Sequence, residues 1–201
     1  MDTVKNPKII AFAGLARAGK TTAAKALAEY LNDPNRGDKW AEIVSFAAPL
    51  KNSLKSMGVH KENHPEQYRY LAQTIGATMR AVNTDWWVNL FDSYVSQKSC
   101  DVLIIDDMRY LNELQWVIDR GGDVYFVDGS ERLNLADPMY THESETMAVQ
   151  MTKSVYRGLD DDTKWERPTE LTYKRGSHPI PILYSCGDVK HLIDQVLEEC
   201  V

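Results

Sequence analysis

Residues 14–22 read Gly-Leu-Ala-Arg-Ala-Gly-Lys-Thr-Thr, directly after the apolar run Ile9-Ile10-Ala11-Phe12-Ala13. The first eight fit the pattern G-x-x-x-x-G-K-[ST], with a strand-like run before it and a helical pattern after it, the context in which such a loop wraps phosphates. Gly14 and Gly19 let the backbone curl, so that successive N–H groups at Ala16, Arg17 and Ala18 turn inward as an anion nest. A helix starting near Lys20 adds its positive N-terminal end, with Thr21 and Thr22 in its first turn. Lys20 is placed to reach β and γ phosphates and the Thr21 hydroxyl to ligate Mg²⁺. Arg17 either covers the phosphates or faces solvent. The plain alternative is a glycine-rich turn that binds nothing.

Outward from this loop, short β-rich runs alternate with helical patterns, which signals a parallel α/β sheet. The expected strands are Lys8–Ala13, Glu42–Phe46, Val102–Ile105, Asp123–Val127 and Ile180–Tyr184. The expected helices cover about 21–31, 50–57, 65–82, 86–95, 112–120 and 189–199, the last capped by Asp188. Gly121-Gly122 ends the fifth helix with a left-handed cap. Between the fourth and fifth strands, residues of about 129–179 are polar, show no clear β signal and include the acidic run Asp160-Asp161-Asp162. A long insertion of this kind is usually functional.

Asp106-Asp107-Met108-Arg109 follows the third apolar run. In an open parallel sheet, ligands bind outside the carboxyl ends of the strands, so these carboxylates fall at the same edge as the glycine loop. Asp106 or Asp107 can hold Mg²⁺, and Arg109 can neutralise a second phosphate by bidentate contact. The alternative is a surface turn in which the acids pair with the arginine. Gln73, Gly76 and Arg80 recur at spacings of four or three and share one helix face. That face can take a base edge and a phosphate, with Gly76 admitting the ligand closely; an ordinary solvated face reads equally well. Of Trp86 and Trp87, one fills core and one, assigned to Trp87, walls a pocket. Ser45, Phe46 and Lys51, at the end of the second strand, complete the candidate acceptor contacts. Thr141-His142-Glu143-Ser144-Glu145 opens a helical stretch capped by Thr141 or Ser144, and Arg132, Lys153, Arg157, Arg167, Lys174 and Arg175 are candidate cations of the insertion.

Composition narrows the class. The 201 residues are 43% hydrophobic and 26% charged, ordinary for one globular domain. A net charge of −6 without a Lys/Arg run argues against a duplex-binding protein. The three cysteines, Cys100, Cys186 and Cys200, are scattered, which excludes a disulfide framework or zinc site and suits a reducing compartment. No signal-peptide pattern opens the chain, and no apolar run reaches the ~20 residues of a membrane helix. A cytoplasmic protein without membrane or nucleic-acid partners is expected, and a homodimer is compatible with the sequence.

Several segments together resemble the deoxynucleoside monophosphate kinases of tailed bacteriophages, within the nucleoside-monophosphate-kinase-like P-loop group. They are GLARAGKT, SFAAPLK at 45–51, the Q-x-x-G-x-x-x-R stretch of 73–80 with the DWW after it, and IIDDMRYLNE at 104–113. HESE at 142–145 and YSCGDVKHL at 184–192 are similar to the family's later segments. The likeness covers about 8–150 and resumes near 180, whereas 152–180 departs from the family pattern. The resemblance implies a three-layer P-loop fold over residues 1–201, with a five-stranded parallel sheet of order 2-3-1-4-5. It also implies a helical acceptor-binding region at about 47–98 and a lid at about 129–179. The implied activity is phosphorylation of a deoxynucleoside monophosphate by ATP and Mg²⁺, in a host cytoplasm if the protein is phage-encoded. Catalytic residues would be Lys20, Arg80, Arg109 and Asp106, and no general base is required, because a phosphate monoester is already an anionic nucleophile. Rival readings are another small-molecule kinase such as dephospho-coenzyme A kinase, a nucleotide-dependent switch or ATPase, and a non-catalytic phosphate-binding module. The sequence holds no Asn-Lys-x-Asp guanine-reading motif, which disfavours a GTPase switch.

Overall fold

Strand β1 (Lys8–Ala13) is buried from Ile9 onward, with no polar alternation, because a parallel strand covered by helices on both faces has no wet side. The computed structural model describes residues 6–129, 133–134, 170–172, 179–185 and 189–201. The described chain divides into two compact units, Met1–Ile43 with Cys100–Val201 and Val44–Ser99.

The first unit is built on the sheet. After β1 come α1 (Lys20–Leu31), β2 (Ala41–Val44, whose last residue belongs to the second unit), β3 (Val102–Met108), α5 (Leu111–Asp119) and β4 (Asp123–Asp128). They are followed by β5 (Glu170–Thr172), β6 (Pro179–Tyr184) and α6 (Val189–Cys200). The sheet order is β2-β3-β1-β4-β6-β5. Its five parallel strands are those expected from the sequence, in the expected order 2-3-1-4-5, and the fold is a three-layer α/β one. The chain leaves β1 toward β2 on one side and crosses from β3 to β4 on the other, so the loop after β1 sits at the topological switch point. α1 buries Ala23, Ala24, Leu27 and Ala28 and packs against β3 and α6. Phe12 and Tyr125 meet across β1 and β4 with ring centroids 6.0 Å apart.

Three details differ from expectation. β3 continues three residues past Ile105, so Asp106 and Asp107 lie within the strand rather than in a turn after it. The register to β1 runs from Ala11↔Ile105 to Ala13↔Met108, so β3 carries one extra residue at the acidic pair. Such a bulge re-aims side chains at a sheet's rim, and two acids give no β signal by which to foresee it. Secondly, β5 falls in the stretch read as lacking strand and pairs antiparallel with β6, Glu170↔Pro181 to Thr172↔Pro179. Three residues are too few to show a period-two pattern. β6 pairs with β4 only from Ile182 onward, past Pro179 and Pro181, which have no N–H to give to a ladder. Thirdly, β2 begins and ends earlier than expected, at Ala41 and Val44, so Ser45 and Phe46 lie outside the strand.

The second unit is helical: α2 (Ala48–Ser56), α3 (Pro65–Val82) and α4 (Trp86–Val95) pack on one another. Leu50, Leu54 and Trp87 form its buried centre, with Val59, Tyr68, Leu71, Ile75 and Met79 against them. Phe46 packs at a tilt of 42° against Phe91, with centroids 4.2 Å apart. The helical region read at about 47–98 lies inside this unit.

Of the insertion read at about 129–179, only Gly129, Leu133–Asn134, β5 and Pro179 at the start of β6 are described. The expected caps at Thr141, Ser144 and Asp188, His142, Cys186, and the cations Arg132, Lys153, Arg157, Arg167, Lys174 and Arg175 lie outside the described residues.

Candidate functional site

In the first unit the loop of residues 14–19 has the backbone its sequence calls for. Gly14 and Gly19 take φ of 139° and 113°, and Arg17, with φ 65°, is the one described non-glycine residue at positive φ. Left-handed residues break the repeat of the chain and turn successive N–H groups into a concavity. Arg17 is exposed, whereas Leu15 and Ala18 are buried and hold the loop down, the Ala18 N–H donating to the Leu15 carbonyl at 3.1 Å. No side chain caps α1 at Gly19, which leaves the helix's positive end to the loop.

The loop is clamped from the far side by β4. A Cβ on Gly14 would lie 2.4 Å from the Val127 carbonyl oxygen, and one on Gly129 would lie 2.8 Å from the Ala18 Cα. Gly14 thus faces the end of β4, and Gly129, just past that end, faces the loop, where any larger residue would push the loop off the sheet. Sequence reading gave Gly14 a conformational role alone, and did not single out Gly129.

Lys20 is only 6% exposed, unusual for an ammonium, and its Nζ donates to the Gly14 carbonyl at 2.7 Å and the Leu15 carbonyl at 2.8 Å. A buried charge must be hydrogen-bonded, and here the loop's own carbonyls do it. The Thr21 hydroxyl donates to Asp106 Oδ2 at 2.9 Å, linking the first turn of α1 to the bulge of β3. That separation matches two adjacent oxygen ligands on an octahedral Mg²⁺, which at 2.0–2.1 Å from the ion stand about 2.9 Å apart. The pair therefore fits the ion, and it distinguishes Asp106 from Asp107, which is half-buried beside it. Among the described residues no group of three or more His, Cys, Asp or Glu comes together. Mg²⁺ bound through one or two protein oxygens and substrate phosphates does not require one.

Arg109 and Tyr110 form the joint between β3 and α5. The Glu113 carboxylate, 6% exposed, accepts both of their N–H groups on Oε2, at 2.6 and 3.0 Å. Sequence reading missed Glu113: a glutamate at this position signals a cap when Ser, Thr, Asp or Asn stands at the N-cap, and here the N-cap is Tyr110. Asp128, 3% exposed at the end of β4, was not foreseen either.

The second unit carries the remaining candidates. Gly76 is the one fully buried residue of α3, and a Cβ there would sit 3.4 Å from an Arg80 guanidinium nitrogen and 3.6 Å from Leu50. Arg80 is half-buried over that glycine and Gln73 is exposed. The Lys51 ammonium donates to the Ser45 hydroxyl at 2.8 Å, which brings these two candidates together at the start of α2. Two expectations are corrected. Phe46, 2% exposed and packed at a tilt against Phe91, is core and offers no face to an acceptor. Trp87 is buried in the centre of the unit and its indole N–H donates to the Gly76 carbonyl at 3.0 Å, so it supports α3 from within while Trp86 is the half-buried one of the two. Both corrections have the same cause: three helices have one small interior, and large aromatic rings fill it first.

No family model matches the chain, and no curated protein matches it at a significant level. What the fold and the loop define is a class, a three-layer α/β protein with a glycine-bounded loop, a buried lysine and a hydroxyl–carboxylate pair at its switch point. Among the described residues no helix is long and apolar enough to cross a membrane.

Proposed function

We propose that this chain is a kinase that phosphorylates a deoxynucleoside monophosphate to its diphosphate with ATP and Mg²⁺. The observation that carries the reading is the Thr21–Asp106 pair, set beside Lys20 in a loop of positive-φ residues. A loop that only needed to turn has no reason to bury an ammonium under its carbonyls or to tie the first turn of α1 to a carboxylate at the end of β3. The choice of a deoxynucleoside monophosphate as acceptor is supported by the ordered resemblance of the sequence segments, and by Arg80 and Arg109 as phosphate-directed cations.

In this mechanism an oxygen of the acceptor's phosphate attacks the γ-phosphorus of ATP in line. The new P–O bond forms as the bond to the β-phosphate oxygen breaks, and ADP leaves. The loop N–H groups hold the donor phosphates and Lys20 stabilises charge on the transferring group. Thr21 and Asp106 would hold Mg²⁺, which supplies neutralisation of the β and γ oxygens. Arg109 would hold the acceptor's phosphate and offset repulsion between the two anions.

The test is a coupled assay of ATP and Mg²⁺ with all common NMPs and dNMPs, with dephospho-coenzyme A, and with no acceptor. Turnover that depends on a dNMP is expected. Turnover with dephospho-coenzyme A alone, or slow hydrolysis indifferent to any acceptor, would replace this reading with the kinase or switch alternatives.

A further inference from the structure

The joint between β3 and α5 is two residues long, and one side chain holds both of its N–H groups. Glu113 Oε2 accepts from Arg109 at 2.6 Å and from Tyr110 at 3.0 Å. Its own N–H donates to Asn112 Oδ1 at 3.1 Å, and the Leu114 N–H donates to the Tyr110 carbonyl at 3.0 Å, so α5 begins at once behind the joint. In front of it, β3 ends in the bulge that carries Asp106. The backbone torsions that aim the Arg109 side chain are therefore fixed on one side by sheet pairing and on the other by a buried carboxylate.

We infer that Glu113 is the positioning residue for Arg109, setting where its guanidinium meets a phosphate; this rests on the kinase reading above. Hydrogen bonds to an ionised acceptor are the stronger kind, and two converging on one oxygen restrict a joint more than either alone. A carboxylate in the first turn of a helix is also favoured by the helix's positive end. Without it, two N–H groups lose their acceptor and the launch point of Arg109 is free to rotate. Misplacement of a phosphate-directed group by an ångström is enough to cost orders of magnitude in rate.

The experiment compares the wild type with Glu113→Ala, Glu113→Asp, Glu113→Gln, Arg109→Ala and the Arg109→Ala/Glu113→Ala pair. It reads kcat and KM for ATP and for the best dNMP, together with amide hydrogen exchange at Arg109 and Tyr110. Glu113→Ala, and Glu113→Asp whose shorter side chain does not span the joint, are expected to lower kcat/KM for the acceptor by about tenfold or more while KM for ATP changes less than about twofold. Exchange at the two amides accelerates in both, and Glu113→Gln, whose amide oxygen accepts the same N–H groups without the charge, recovers most of both readouts. On the Arg109→Ala background the second substitution adds less than about twofold, because the residue it positions is already gone. Losses that multiply in the double variant, or exchange at Arg109 and Tyr110 unchanged in Glu113→Ala and Glu113→Asp, would overturn the assignment. Acceptor kinetics unmoved by Arg109→Ala would instead strike the phosphate role of Arg109, while amides loosened by Glu113→Ala would still uphold the control of the joint.

Discussion

The Thr21 hydroxyl and the Asp106 carboxylate meet at 2.9 Å, although they lie on different elements and 85 residues apart in sequence. If the pair holds Mg²⁺, the two groups act together: Thr21 must keep its oxygen and Asp106 its negative charge. Thr21→Ala and Asp106→Asn are each expected to lower kcat by about a hundredfold and to raise the Mg²⁺ concentration needed for half-maximal rate. Thr21→Ser, which keeps the hydroxyl, should stay within a few fold of the wild type. A Mg²⁺ titration of the three variants decides it, and an unchanged half-saturation point in Asp106→Asn would move the metal elsewhere.

Lys20 does two things that one substitution separates poorly and two separate well. Its ammonium supports the Gly14 and Leu15 carbonyls, and in the proposed reaction it also carries transition-state charge. Lys20→Ala is expected to reduce kcat by at least about a hundredfold. Lys20→Met keeps the length of the side chain and should preserve more of the melting temperature than Lys20→Ala without restoring turnover. Near-normal rates in either variant would remove Lys20 from the chemistry.

Gly14 and Gly37 both take a positive φ, 139° and 132°, in different surroundings. A Cβ on Gly37 meets nothing within 4 Å, whereas one on Gly14 meets the Val127 carbonyl oxygen at 2.4 Å. Gly37→Ala should therefore cost only the backbone strain, roughly 1–3 kcal/mol. Gly14→Ala should cost at least about 2 kcal/mol more, since the rigid strand cannot give way. Thermal unfolding of the two variants is the measurement; equal shifts would show that the loop moves off β4 without penalty.

Much of this was legible in the sequence, and the misses have physical causes. The five parallel strands and the ends of α3 and α4 could be read, because long periodic segments speak through local residue types, whereas the order of the strands is implied by the family resemblance alone. The bulge at Asp106–Asp107 could not, since it arises from pairing with β1, a partner nearly a hundred residues away in sequence. Gly129 has meaning only once Ala18 is known to lie behind it. Phe46 reads as an acceptor contact from its place at the end of the second strand and Trp87 as a pocket wall from what an indole can stack on, yet both rings are buried. Glu113 was hidden by its partner at the N-cap being tyrosine.

Alkaline pH should weaken the fold through the end of α6. Burial is the main cause that pushes the Cys200 thiol from its ordinary 9.0 up to about 12, against a smaller downward pull from the hydrogen bond with Tyr125. Burial likewise raises the Tyr125 hydroxyl, which donates to the Glu199 carbonyl at 2.9 Å. Both groups bind their protons more tightly folded than unfolded, so their contribution is complete below the unfolded values and is lost as pH rises toward the folded ones. The melting temperature should hold to about pH 9 and fall between about pH 9 and 12, and Cys200→Ala should flatten part of that slope. In the native state Cys200 should resist alkylation at pH 8; rapid labelling there would contradict its burial.

Gly76 offers the sharpest separation of stability from function. Inside an 18-residue helix a glycine costs roughly 1 kcal/mol relative to alanine, and here the space for a methyl group exists: the nearest atoms would be 3.4 Å away on the flexible end of Arg80 and 3.6 Å away on Leu50. Packing therefore does not demand glycine at this position. Gly76→Ala should raise the melting temperature by a few degrees, as up to about 1 kcal/mol of helix propensity is recovered. The same methyl group comes into van der Waals contact with the Arg80 guanidinium and narrows its choice of rotamers, so KM for the acceptor should rise several fold while KM for ATP does not move. Arg80→Ala should give the same pattern of kinetics without the gain in stability. A more stable Gly76→Ala variant with unaltered acceptor kinetics would show that the face of Gly76 and Arg80 does not touch the substrate.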